Sequence, residues 1–367
     1  MAELDDSPPR VLMELFDCLK RNKQDEALGL IASMDVSTLN LLVEVTDNCF
    51  ITALQCAVPL NQPRIVNALL EKRVDVNKGE GCYSNFYGYF IWKSTPLLSA
   101  LIKSNFTLID ILLEHGADPL FDSDKAKQLN PMNGRQHGSA PISIPFSFAL
   151  SRGNYIFSRF LQYTDVSGEF GPGNHTCLCY ALRHYLDECC SSASLHYMQR
   201  IIQKGGRVCS GDSNNFAEEW GIVSTKGICS EIVHCLNVML NEREETLHGF
   251  HCTNAKAAHN CLSLVCATDY VHENSSLYKT LATYTDAIKT NNIRVALDEL
   301  AEVDVKRFEQ KRQILTWMTT ITKQPSNLKH ICRVYVRSLI PNMCIEAIQA
   351  LPLPTELIDY VNVVNKV

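Results

Sequence analysis

Apolar and polar positions alternate along the first half of the chain with the period of short amphipathic helices, and two stretches share one pattern. From Thr52 the chain reads TALQCAVPLNQPRIVNALLEKRVDVN, and from Thr95 it reads TPLLSALIKSNFTLIDILLEHGADPL. In each, an alanine (Ala57, Ala100) follows the threonine by one and a half helical turns, and a leucine pair (Leu69–Leu70, Leu112–Leu113) comes later in a second helical run. Small residues suit a first helix packed closely on its neighbour. Leu108, Ile109, Leu112 and Leu113 give the second helix an apolar face. Gly116 stands where that second helix ends, as a left-handed cap requires.

Looser copies follow as IPFSFALSRGNYIFSRFLQY from Ile144 and TCLCYALRHYL from Thr176, and a partial copy precedes them at Glu26–Val36. One helix pair cannot bury its own apolar face, so such units stack. These residues resemble the ankyrin repeat: a Thr-Pro-Leu start, a small residue in the first helix, and LLEHGADPL at the close. The steps between Thr52, Thr95, Ile144 and Thr176 are 43, 49 and 32 residues, against an ankyrin period of about 33, so loops are inserted between units. The pattern is clearest over 52–120, extends over residues 1–205, and fades over 206–321 into degenerate repeats or a helical spacer. There Ile228, Ile232, Cys235, Leu236, Met239 and Leu240 still share a face, as do Ile293, Ala296, Leu297 and Leu300.

The first insertion, Lys78–Lys93, concentrates aromatic side chains: Tyr83, Phe86, Tyr87, Tyr89, Phe90 and Trp92. Two readings stand. The rings form a protruding hairpin that anchors a target protein, as Tyr and Trp do at interface hot spots, or they fold back as a local cap.

The last forty residues carry a second pattern. After Pro325-Ser326-Asn327, a helix-start signal, Leu328, Ile331, Cys332, Tyr335, Val336 and Leu339 form a stripe, with Lys329, His330, Arg333 and Arg337 off it. Pro341 ends that helix; a short second one carries Cys344, Ile345 and Ile348. Leu351-Pro352-Leu353-Pro354 breaks helix structure, and a third helix follows with Leu357, Tyr360, Val361 and Val364. Three short helices bury little surface alone, so the module should want a partner.

This segment, 325–367, resembles a SOCS box. The resemblance implies that Leu328, Ile331, Cys332 and Val336 enter a groove of elongin C, in the helix-in-groove mode. It also implies that Leu351, Pro352, Leu353 and Pro354 select cullin-5 over cullin-2. The residue before the leucine anchor, usually small in that family, is Asn327. The whole chain resembles the ankyrin repeat and SOCS box family. The fold so implied is all-α, an ankyrin-repeat solenoid with insertions followed by a three-helix SOCS box. The function so implied is the substrate-recognition subunit of a cullin-RING ubiquitin ligase, with elongin B, elongin C, cullin-5, a RING-box protein and an unidentified protein target as partners. The alternative is an ankyrin scaffold that binds one protein stoichiometrically.

Charge and composition narrow the classes. Lys+Arg 34 against Asp+Glu 40 gives a net charge of −6, without the basic stripe of a nucleic-acid binder. No apolar run approaches the ~20 residues of a membrane span, and Met1–Arg10 has no secretory pattern. The 16 cysteines sit mostly in apolar stretches, as expected of reduced thiols in the cytosol or nucleus. His251, Cys252, His259, Cys261 and Cys266 lack the paired spacing of a structural zinc site, and Cys189–Cys190 and Cys177/Cys179 read likewise as buried thiols. No phosphate loop, zinc-protease helix or nucleophile elbow is present; a cysteine hydrolase has no selected nucleophile. Neither an enzymatic activity, a cofactor nor a metal is expected.

Overall fold

The computed structural model describes residues 9–46, 48–84, 89–122, 125, 144–170, 175–187, 192–209 and 348–362, with isolated helical positions at 260, 262–264, 266, 316, 319–320, 332–333, 335–336 and 339. The 228–240 and 293–300 stripes and most of the His251–Cys266 run lie outside these residues. Contacts divide the chain into two units, Met1–Thr164 and Asp165–Val367.

Helix pairs build the first unit. They are α1 (Arg10–Lys20) with α2 (Gln24–Ser33), α4 (Ala53–Ala57) with α5 (Pro63–Glu71), α6 (Pro96–Ile102) with α7 (Phe106–Glu114), and α8 (Pro145–Leu150) with α9 (Asn154–Tyr163). A single turn, α3 (Val36–Leu39), follows the first pair. Successive pairs stack in two rows, α1, α4, α6 and α8 in one and α2, α5, α7 and α9 in the other. This is the solenoid that the repeat pattern demands, and the copy from Ile144 takes its expected place in it. Ala57 and Ala100 are fully buried, and Leu69, Leu108, Ile109, Leu112 and Leu113 fill the space between rows.

The pairs start and turn by local chemistry. Thr52 and Thr95 cap α4 and α6, each hydroxyl oxygen accepting from the N–H three residues on, at 3.1 and 3.2 Å, which satisfies one of the orphan donors of a helix start. The turn within each pair holds one residue in the left-handed region: Asn22, Asn61, Ser104 and Gly153. Asparagines then tie one unit to the next. Asn40 accepts from the Asp75 N–H at 2.9 Å and Asn77 from the Asp118 N–H at 2.8 Å. Inside the stack Gln55 donates to Ser99 at 2.7 Å, from α4 to α6. On the α7–α9 face Arg159 pairs with Asp110 at 2.6 Å and Glu114 at 3.2 Å.

The expected all-α class gains one minor element. Strands β1 (Val43–Thr46), β2 (Cys49–Ile51), β3 (Glu80–Ser84) and β4 (Tyr89–Ser94) form an antiparallel sheet in that order. The inserted loop after the first clear repeat is therefore a hairpin whose β3 pairs with β2 of the preceding loop.

In the second unit, α10 (Cys177–Asp187) and α11 (Ser192–Gln203) pack as a fifth pair where the copy from Thr176 predicts one. Its last described helix is α12 (Thr355–Asn362).

Candidate functional site

The Leu-Pro-Leu-Pro step is a tight turn that launches α12. Leu351 N–H donates to the Ile348 carbonyl at 3.1 Å and Leu353 N–H to the Leu351 carbonyl at 2.7 Å, while the Pro354 carbonyl accepts from Leu357 and Ile358 at 2.9 and 3.0 Å. A proline cannot donate, but its carbonyl still opens the next helix. Leu351 and Leu353 are half-buried and Pro352 and Pro354 are exposed, so the turn roots itself by its leucines and offers its prolines.

Beneath the turn, Ile348 and Val361 are buried together, with Val336, Leu351 and Ile358 against them. The third helix therefore turns Ile358 and Val361 inward and leaves Leu357 exposed, one position off the expected face. The first helix of this module has two faces. On the inner one Val336 reaches the small core, and Arg333, only 1% exposed, lays its guanidinium over the Tyr360 ring at 4.5 Å. Burial pulls the Arg333 pKa below its ordinary value, against the opposing effect of Tyr360. On the outer face Cys332 is exposed, as are Tyr335 (63%) and Leu339 (60%). Positions 332, 335 and 339 lie on one side of a helix, so apolar side chains over two turns meet water.

Of the expected elongin-contact residues, Cys332 thus lies on the open face and Val336 on the packed one. Leu328 and Ile331 lie outside the described residues. Arg333 was invisible as an interior residue because apolar periodicity does not count a cation that stacks on an aromatic ring.

The aromatic insertion is resolved as backbone. Tyr83 pairs in register with Phe90, Ser84 with Tyr89 and Gly81 with Trp92. Phe86 and Tyr87, and the side chains of Tyr83, Tyr89, Phe90 and Trp92, lie outside the described residues. Among the described residues no helix is long and apolar enough to cross a membrane.

No curated protein matches the chain. The crystal structure of the human ASB11 ankyrin repeat domain is similar at 19% identity, over 52% of this chain and 69% of that one, with a TM-score of 0.31; the fold stated above rests on the helix pairs themselves. Residues 324–362 match the family model of the SOCS box, the span on which the two-faced helix, the Leu-Pro-Leu-Pro turn and α12 fall. The SOCS-box match thus stands C-terminal to the stacked helix pairs, the order of parts that the sequence resemblance implies.

Proposed function

We propose that this protein is the substrate-recognition adaptor of a cullin-RING ubiquitin ligase. Its SOCS box binds elongin B and elongin C, and the Leu-Pro-Leu-Pro turn favours cullin-5. The observation that carries this reading is the apolar outer face of the first SOCS-box helix, Cys332, Tyr335 and Leu339, beside a core that, among the described residues, centres on Ile348 and Val361. A groove that takes a helix reads apolar anchors about one turn apart, and the rooted turn with exposed Pro352 and Pro354 offers a second contact.

The stacked helix pairs hold the target protein, and the aromatic hairpin of residues 80–94 is the proposed contact element. The chain makes no covalent bond with its target. It supplies proximity, raising the effective concentration of target lysines at the ubiquitin donor. A complex assembled from reduced intracellular components places it in the cytosol or nucleus.

The test is copurification of the tagged full chain with co-expressed elongin B and elongin C, wild type beside Leu328→Pro/Cys332→Phe. A stoichiometric complex with wild type, lost in a double variant that keeps its helical circular dichroism, is the expected result. A folded wild-type chain that recovers neither elongin refutes the reading and leaves a stoichiometric scaffold. Cullin-5 and cullin-2, offered separately to the ternary complex, decide the finer assignment.

A further inference from the structure

A second cluster lies at the start of α10, and the chain takes some trouble to assemble it. The helix begins after Thr176, whose hydroxyl oxygen accepts from the Cys179 N–H and which donates in turn to the Arg207 carbonyl. That second bond draws the segment leaving α11 back against the start of α10. The return is made by Gly205, at φ +95°, and Gly206, whose N–H donates to the Ile201 carbonyl at 2.9 Å. A Cβ on Gly206 would stand 2.4 Å from the Ile201 side chain, so only glycine fits the turn. It delivers Cys209. From the other side Phe170 and His175 exchange two backbone hydrogen bonds, at 2.8 and 3.1 Å, which fixes the backbone of His175. Tyr180 stacks on Phe170 at 5.2 Å and meets the His175 ring edge-on at 6.1 Å.

Three separate devices therefore converge on one point. His175 Nδ1 lies 3.6 Å from Cys209 Sγ, and the ligand atoms of His175, Cys179 and Cys209 all fall within 4.8 Å of one another. Zinc held by sulfur at about 2.3 Å and nitrogen at about 2.0–2.1 Å in tetrahedral geometry puts S and N about 3.6 Å apart and two sulfurs about 3.8 Å apart. The His175–Cys209 edge equals the expected S–N spacing, and the other two edges, within 4.8 Å, need a side-chain adjustment of about 1 Å at most. Cys179 and Cys209 are buried, at 1% and 6% exposure, and the Cys209 N–H donates to Cys179 Sγ at 3.3 Å, the kind of outer hydrogen bond that orients a thiolate ligand.

We propose that His175, Cys179 and Cys209 bind one zinc ion, with water at the fourth corner, and that the ion pins the segment after α11 to the start of α10. Binding releases the two thiol protons to solvent and leaves a site of two thiolates and a neutral imidazole around the dication, with no net charge left over. Soft thiolate and imidazole donors at tetrahedral spacing select zinc over the hard divalent ions. The ligands evade a sequence search because the third stands thirty residues beyond the second, with no close cysteine pair. Cys177, paired with Cys179 in the sequence, is fully buried and is not part of the cluster. The site is independent of the ligase reading.

The full chain, purified under reductant, should carry about one zinc per molecule attributable to this site. Cys179→Ser and Cys209→Ser should each weaken zinc binding by more than about 100-fold, beyond what loss of an outer-sphere partner does, while Cys56→Ser, in the other unit, leaves it unchanged. Cobalt in place of zinc should show thiolate-to-metal charge transfer that drops by about half in either serine variant. A measurement on the wild-type chain alone covers the case of an unfolded variant. Chelation should speed alkylation of Cys179 and Cys209 and leave Cys56 as it was. Zinc retained by a folded Cys209→Ser, or equal alkylation of both cysteines with and without chelator, overturns the proposal. So does a Cys179–Cys209 disulfide in chain prepared under reductant.

Discussion

Thr52→Val isolates one hydroxyl on which two levels of the fold depend. Thr52 is 2% exposed. Its oxygen accepts from the Gln55 N–H at 3.1 Å, capping α4, and its O–H donates to the Lys78 carbonyl at 3.0 Å, reaching the loop after the next helix. Thr176 repeats the device with Cys179 and Arg207. Valine keeps the shape and the β-branch, and the extended backbone at Thr52, φ −86° and ψ 165°, suits it well. What changes is the loss of an N-cap, worth about 1 kcal/mol, and of a second hydrogen bond, about another 1 kcal/mol. The Gln55 N–H is left in a buried place without its acceptor, which raises the total to about 2–3 kcal/mol.

Thr52→Ser is the matched control. It keeps both hydrogen bonds and removes one buried methyl, at about 1 kcal/mol. Urea unfolding followed by circular dichroism separates the two if the slope is unchanged, and the midpoint then reports stability directly. For a unit of this size, about 2–4 °C of Tm per kcal/mol puts Val about 4–12 °C below wild type and Ser about 2–4 °C below. A valine variant as stable as the serine variant would refute the reasoning. Apolar packing at Thr52, and not its hydroxyl, would then hold the unit.

Gly116→Ala should destabilise by about 1 kcal/mol through strain alone, because φ is +85° and nothing lies within 4 Å of the added Cβ. At the matching place in the preceding unit, Arg73 holds φ 63°, so Arg73→Gly should stabilise by about 0.5 kcal/mol after the unfolded chain's added freedom is counted; equilibrium denaturation giving both changes one sign would contradict the pairing. Asp35 caps α3, and hydrogen bonds from Ser37 and Thr38 pull its carboxyl down to about 2. Its folded pKa lies below its unfolded one, so its contribution is complete above about pH 4 and lost as pH falls through about 2. Asp35→Asn should therefore melt below wild type at pH 6 and level with it below pH 2, and a gap of constant size across that range would count against the cap.

The helix pairs were legible because their signals are local. Thr52 and Thr95 mark a start, Ala57 and Ala100 a close contact, Gly116 an end, and each recurs within one unit. The degenerate copies from Ile144 and Thr176 kept enough of the apolar face to be read as helix pairs, and helix pairs stand there. What the sequence hid lies between units. Strand β2 is three residues long and pairs with Glu80–Cys82 across about thirty residues, beyond the reach of any periodic window. The Asn40–Asp75 and Asn77–Asp118 links are single side chains whose partners appear only when the units stack. Arg333 was misplaced for another reason. A hydrophobic stripe identifies a buried face by its apolar members, and here the most buried of the helix's described side chains is a cation over a tyrosine.

That inversion bears on how the SOCS box works. If Leu328, Cys332, Tyr335 and Leu339 formed the packed face, the helix would be a solenoid cap with nothing left to offer. The packing runs the other way for each described member. Arg333 and Val336 face the core, and Cys332, Tyr335 and Leu339 face water. An arginine on the inner face suits this division, since its ring contact with Tyr360 joins the first helix to α12 at 4.5 Å and frees the adjacent apolar positions. A module of about forty residues ordinarily needs a partner to complete its core, and under the proposed function the exposed apolar face is where that partner sits. The same geometry fixes the angle of the Leu-Pro-Leu-Pro turn, because Leu351 packs on the Ile348–Val361 core that Val336 also touches. Contacts on the outer face of the first helix and on the exposed prolines of the turn are thereby held in one frame, as an adaptor joining two neighbouring proteins requires.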